Sequence, residues 1–439
     1  MSGSAARARR PVRTALAFLA VLAAGFAWGF LAQREKIFPH LLLRRIAVRL
    51  GISIWRQPME LRSTTPRWEM AASVPYLDTQ IDPHPETSGV VLNREERAAP
   101  GWNFYSVPGR RAAYLIDSRG KLLWRWNLSA YRDIEKVGPD EDVGFTHLYP
   151  NGDALAYLGR HVLVKIDRHS RILWEYDAEV HHDAWVDSDG TIYALIKRQR
   201  FDRTIHPEGV VLEDVIVVLS PEGAPRREIP LLRVLENSPY AFLLPKPPQD
   251  RMYDDIGLDV LHTNHVEVYD GALERLSPLF RKGNILVSFK DLCAIAILDG
   301  RTSRILWLWG PTNLALQHHP TILPDGDILL FDNGTEHSRV IEVDPRTDSI
   351  VWRYDPEGEF FSTIRGSCQR LPNGDTLIGV SQAGFAVEVT KEKEPVWKFV
   401  NPDVGPDHAR QAIFRITRFD PRQLDFVGKG GMVAGADGP

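Results

Sequence analysis

Cysteine is nearly absent from this chain: Cys293 and Cys368 are the only two in 439 residues. That leaves no thiolate set with metal-ligand spacing, and at most one disulfide; the expectation is two buried free thiols. Charge of one sign is lacking too. Lys and Arg number 53 against 57 Asp and Glu, for a net charge of -4, which gives no indication of a nucleic-acid partner. Long uncharged runs are scarce, and the most prominent is Thr14 to Gln33. Arg7, Arg9, Arg10 and Arg13 precede it. A run of that length spans a bilayer, and the arginines favour a cytoplasmic N-terminus, so the sequence predicts a signal anchor with everything after it outside the cytoplasm. A cleaved signal peptide is the competing reading.

The chain then divides by composition into a basic N-terminus (1–13), the anchor (14–33), a juxtamembrane helix and stalk (34–100), a main domain (101–420) and a flexible C-terminal tail (421–439). Little regular structure is expected in the Pro, Thr, Ser and Glu-rich stretch from about 56 to 100.

What the main domain has in plenty is one phrase with variations: Leu122-Leu-Trp-Arg-Trp126, Ile172-Leu-Trp-Glu-Tyr176, Ile305-Leu-Trp-Leu-Trp309, Ile350-Val-Trp-Arg-Tyr354 and Pro395-Val-Trp-Lys-Phe399. Each ends a run of short alternating segments, and several runs open with a turn such as Asn151-Gly152, Asp189-Gly190, Asp325-Gly326 or Asn373-Gly374. Repeats of roughly 40 to 50 residues made of short strands predict an all-β propeller, with six blades as the count and seven as the alternative. The tryptophans are read as packing between blades.

A propeller gathers equivalent loops at one end of its channel, so alignment of the repeats is a search for a site. His182 lies four residues before Val186 and eight before Gly190; His318 stands in the same relation to Ile322 and Gly326. His262, four before Val266, is placed at that position in the fourth blade, and Arg365 beside Gly366 in the sixth. Three histidines and an arginine are therefore expected to converge at the channel mouth. Seven residues beyond their turn glycines stand Lys197, Lys290, Asn333 and Ser381, expected to line the channel beneath that ring. Neutral imidazole acts as nucleophile or base and nearby cations hold an anion, a constellation suited to transfer of a small anionic group. His265 and His319 are expected to pack between strands, and His147 to be structural.

Leu261-His-Thr-Asn264 followed by a Val-rich strand, and Gln317-His-His-Pro-Thr-Ile-Leu-Pro-Asp-Gly-Asp-Ile-Leu-Leu-Phe-Asp-Asn-Gly334, resemble phrases of the arylsulfotransferase family. The resemblance covers roughly residues 100 to 400. It implies an exported six-bladed propeller that moves sulfuryl groups between phenols without a nucleotide donor, with no cofactor and no metal. It implies His318 as the nucleophile that becomes sulfated, and His262 and His182 as the residues serving the transferring group. Asn264, Asn333 and Lys197 are expected to bind substrate. Where the family carries an arginine after its His-x-Asn phrase this chain has Lys290, which keeps the charge but loses the bidentate fork; Arg365 is the candidate replacement. The implied partners are a phenolic donor and acceptor, the inner membrane through the N-terminal helix, and a possible homodimer.

Two other classes fit parts of the pattern. His182, His262 and His318 could ligate zinc or copper, with Lys290 near the open position. An anchored propeller could instead bind a partner without catalysis. A quinone-cofactor dehydrogenase shares Trp-rich repeats, but no calcium-type carboxylate cluster or adjacent-cysteine pair supports it.

Overall fold

The computed structural model describes residues 80–131, 143–206, 209–245, 257–358, 360–405 and 408–427. The expected anchor lies outside these residues, and among them no helix is long and apolar enough to cross a membrane.

Six sheets, antiparallel apart from one short parallel pair in blade 3, form a six-bladed propeller. The regular pattern is seen in blade 2, whose strands Val143–Leu148, Ala154–Leu158, Val162–Ile166 and Ile172–Asp177 pair in chain order from the channel outward. The Asn-Gly and Asp-Gly turns lie between the first two strands of their blades, and Gly152, Gly190, Gly326 and Gly374 all adopt positive φ (87, 82, 92 and 91°). Only glycine takes that conformation without strain, which is why the turns were visible in the sequence.

Both ends of the chain close the ring. The C-terminal strand Ile416–Phe419 is the innermost strand of blade 1, pairing with Trp102–Val107. Gly89–Asn93, in the stretch expected to lack regular structure, is an outer fifth strand on blade 6, paired with Pro395–Val400. Part of the expected flexible tail is also ordered. Leu424 and Phe426 are buried in the core between blades 1 and 2, where Phe426 meets Trp124 and Trp126 edge-on at 5.2 and 5.9 Å.

Six apolar clusters hold the ring, one at each blade interface. The repeated tryptophans add a polar clasp at these seams. Trp124 Nε1 donates to Arg168 O (2.8 Å), Trp174 to Pro221 O (3.1 Å), Trp307 to Asp348 Oδ1 (2.7 Å), Trp352 to Lys391 O (3.0 Å) and Trp397 to Ser118 O (2.8 Å), each reaching the next blade. The last closes blade 6 on blade 1. Blade 3 ends in Pro225–Pro230, without the phrase, and there Arg227 Nη1 makes the clasp to Gly300 O at 2.6 Å. Cys293 and Cys368 are both buried.

Candidate active site

The inner strands of blades 3, 4 and 5 are not regular. Each slips register near its channel-mouth end, between Val180 and Ala184, between Thr263 and His265, and between His318 and Thr321. Such bulges re-aim side chains toward the channel. His182, His262 and Arg365 sit at positive φ (58, 45 and 57°), a conformation costing about 1–3 kcal/mol per residue that packing must overcome.

The pairing corrects one alignment. Val186, Ile322 and Val268 each face the second residue after a turn glycine, being paired with Ile192, Ile328 and Ile285. Four residues before these lie His182, His318 and Asn264. Asn264 is therefore the blade 4 equivalent, while His262 enters from two residues farther out, before its strand. It still joins the cluster: its Nε2 is 3.1 Å from His182 Nε2.

His318 is held most firmly. Its Nδ1 lies 2.9 Å from Leu316 O and 2.7 Å from Asn333 Oδ1, and because both are acceptors the proton must sit on Nδ1. Asn333 is oriented in turn by donating to Ser362 O and Arg365 O at 2.7 and 2.8 Å. The bare Nε2 of His318 accepts the backbone N–H of Arg365 at 3.2 Å. Burial, aided by the nearby Lys290 and His262 and opposed by the Asn333 hydrogen bond, pushes the His318 pKa down to about 3. Arg365 thus reaches the nucleophile position through its main chain; the residue itself is buried.

The two lysines arrive with carboxylates that sequence reading missed. Lys197 Nζ pairs with Asp259 Oδ2, which is also 2.8 Å from His262 Nδ1. Asp259 is placed there by the short parallel pairing of Leu258–Asp259 with Val211 and Leu212. Burial disfavours its charge, but Lys197 and then His262 more than offset this and hold its pKa well below the usual range. Lys290 Nζ is 2.9 Å from Asp291 Oδ1. The adjacency of Lys290 and Asp291, and the i, i+3 spacing of Asp259 and His262, were the signals available. Asn264 Nδ2 donates to Gln317 O at 2.8 Å, while its Oδ1 is buried without a hydrogen-bond partner. Gln317 clamps blade 5 to blade 4, its Nε2 donating to Ser288 Oγ, Phe289 O and Ala294 O.

His265 and His319, expected between strands, belong to a second buried polar group. His265 Nδ1 is 2.7 Å from Asp183 Oδ2, and Arg415 Nη2 is 3.0 Å from Asp183 Oδ1. Asp183 is in blade 3 and Arg415 precedes the inner strand of blade 1, so this pair spans the channel. The rings of His265 and His319 lie 5.2 Å apart. His147 packs edge-on against Tyr149 at 4.5 Å, and burial lowers its pKa to about 4.

The histidines of the mouth do not form a metal-ligand set in this arrangement. Among the described residues, the group whose ligand atoms converge is Asp325, Asp327 and Glu342, acidic side chains near the blade 5 turn.

Similarity to solved structures is low. A protein of unknown function from Bacteroides caccae is 14% identical, with 73% of this chain and 99% of that chain covered and a TM-score of 0.48. A streptogramin B lyase is 12% identical over 78% of this chain and 96% of its own, with a TM-score of 0.42. Virginiamycin B lyase from Staphylococcus aureus is 12% identical over 61% and 71%, with a TM-score of 0.37. These likenesses are too weak to bear on chemistry. No curated protein matches the chain. The family model described as Arylsulfotransferase (ASST) matches residues 151–402, a stretch that holds His182, His262, Lys290, His318 and Arg365. The chain belongs to the arylsulfotransferase (ASST) family.

Proposed function

We propose that this protein transfers a sulfuryl group from a phenolic sulfate ester to a phenolic acceptor through a sulfated His318. The observation that carries the reading is the locked tautomer of His318. With Nδ1–H held by Leu316 O and Asn333 Oδ1, Nε2 keeps its lone pair, and the depressed pKa keeps the ring neutral throughout the physiological range. A buried neutral imidazole beside cations is suited to attack an anionic sulfur centre.

In the first half-reaction Nε2 bonds to sulfur as the sulfur–oxygen bond to the donor phenol breaks, and the leaving oxygen takes a proton from the neighbouring histidines. In the second, an acceptor phenol returns that proton, its oxygen attacks sulfur, and the nitrogen–sulfur bond breaks. The Arg365 backbone N–H, which donates to Nε2 at 3.2 Å before substrate binds, would pass to a sulfuryl oxygen as Nε2 attacks and charge develops there. Lys290 supplies positive charge without a fork, and Asp291 limits it. The unpartnered Asn264 Oδ1 is an acceptor available to a phenolic hydroxyl. The N-terminal segment would tether the propeller to the outer face of the inner membrane, where such substrates reach the mouth.

The test is acceptor-dependent release of nitrophenol from a nitrophenyl sulfate, followed by mass analysis of the enzyme trapped without acceptor. Release that depends on His318, with a sulfuryl adduct on the peptide carrying it, is the expected result. Release unaffected by His318→Ala would overturn the reading.

A further inference from the structure

Two carboxylates bracket three imidazoles at the mouth. At one end Asp259 Oδ2 lies 2.8 Å from His262 Nδ1. At the other, Asp214 Oδ1 lies 3.3 Å from His181 Nε2, whose ring partner Nδ1 is 2.8 Å from His182 Nδ1. The remaining contact joins His182 Nε2 to His262 Nε2 at 3.1 Å. The Asp214 contact is long and loosely aligned, and neither atom has another hydrogen-bond partner, so the two face each other as donor and acceptor.

A carboxylate accepts and cannot donate. Asp259 is held ionised by Lys197 and His262 against its burial, and Asp214 accepts the backbone N–H of Thr263 at 2.6 Å. Asp259 therefore requires the proton of His262 on Nδ1, and Asp214 requires that of His181 on Nε2. His181 Nδ1 is then an acceptor, which draws the proton of His182 to its own Nδ1. Each ring has now placed the one proton its neutral form carries. The Nε2 atoms of His182 and His262 are left facing each other, both bare. Two lone pairs at 3.1 Å repel, and a single proton between them converts the contact into a charge-assisted hydrogen bond.

We propose that His182 Nε2 and His262 Nε2 share one exchangeable proton, that this pair is the acid and base of the transfer, and that His181 and Asp214 are positioning residues that fix its tautomer. The proposal deepens the sulfuryl-transfer reading and rests on it for the identity of the reacting oxygen. The shared proton passes to the phenolate oxygen as the sulfur–oxygen bond of the donor breaks; the hydroxyl proton of the acceptor restores it as the nitrogen–sulfur bond at His318 breaks. The enzyme's proton count is unchanged over a turnover. The His262 side chain is 20% exposed and that of His181 4%, so exchange takes place at the mouth and the tautomer is set from inside.

The charges around the pair are mixed. His182 feels Lys197, His181 and His318 besides His262, and burial is the largest influence, holding its own pKa well below 6.5. Lys290 and Asp291 stand near His262, with Asp259 on its far nitrogen. Burial also lowers His181. The extra proton consequently belongs to the contact and not to His182 alone.

The experiment is imidazole nitrogen NMR of the full chain across the range about pH 5 to pH 8, with the half-reactions followed in parallel. The expected result is one titration shared by the Nε2 resonances of His182 and His262, with His181 Nε2 and His182 Nδ1 protonated throughout. Separate titrations, or no proton taken up at the pair, would overturn the proposal. In Asp214→Asn the amide can donate to His181 Nε2, which reverses the tautomers and gives His182 Nε2 a proton of its own. That variant should lose at least about ten-fold more rate with phenyl sulfate, whose leaving group needs the acid, than with nitrophenyl sulfate, whose leaving group does not. Equal losses for the two donors would refute the positioning role. A shared titration without sulfuryl transfer would keep the proton pair and overturn the reading it serves; transfer with separately titrating rings would do the reverse.

Discussion

His318→Asn separates the chemistry of the nucleophile from its place in the fold. The asparagine amide can occupy the position of Nδ1 and still donate to Leu316 O and Asn333 Oδ1, while the Nε2 that would attack sulfur is gone. Turnover should fall by at least about 10³-fold. The same substitution removes a titrating group. In the wild type the folded-state pKa of His318 is about 3 against an ordinary value of 6.5, so between these pH values the unfolded chain carries a proton that the folded chain does not. Stability from this residue is therefore complete above pH 6.5 and is lost as pH falls toward 3, at about 1.4 kcal/mol per unit. Going from about pH 7 to about pH 4.5, His318 alone should cost the wild type about 2.5 kcal/mol. His181, His182 and His319 are also depressed by burial and add to the loss in both proteins, so the comparison isolates His318 together with its coupling to His182. Urea unfolding at the two pH values is the assay. The variant should lose less stability than the wild type on acidification, whatever its stability at neutral pH. An identical pH dependence in the two proteins would refute the claim that His318 is held neutral, and with it the argument for its nucleophilicity.

Two further substitutions probe the departure from the family and the closure of the ring. Lys290→Arg restores a planar fork beside the mouth; it should raise kcat/KM for a nitrophenyl sulfate by a few-fold, and an unchanged or lower value would show that Asp291 already fixes the useful geometry. Phe426→Ala removes a buried ring from the seam between blades 1 and 2 and should cost about 3–5 kcal/mol, read by chemical denaturation; a loss within error would mean that the C-terminal segment does not brace the propeller.

The blades were legible because their signal is local. Each tryptophan phrase sits on an outer strand and donates its indole N–H to an oxygen of the next blade, so the same residue recurs wherever the same clasp does. The seam without a phrase is the one where Arg227 makes the clasp instead. Ring closure was not legible to the same degree. The pairing of Ile416–Phe419 with Trp102–Val107 joins segments more than 300 residues apart, and nothing in either strand marks the other as its partner. The outer strand Gly89–Asn93 was hidden for the same reason, inside a stretch whose composition resembles a stalk.

The site was legible as residue types and blurred as geometry, and the bulges explain both. A register slip leaves the spacing along one strand intact while changing what that spacing means across the sheet. His182 and His318 could be matched by counting from their turns, since both lie four residues before equivalent strand ends. The longer hairpin of blade 4 removed that ruler, so His262 was assigned the position that the ladder gives to Asn264. The convergence held because the loop before the strand delivers His262 to His182. The carboxylates were the larger omission. Asp214 and Asp259 come from other strands and acquire their roles only through pairing, Asp214 opposite Lys197 and Asp259 beside Leu212. Counting histidines finds the groups that can move a proton; only the sheet register finds the carboxylates that decide where each proton sits.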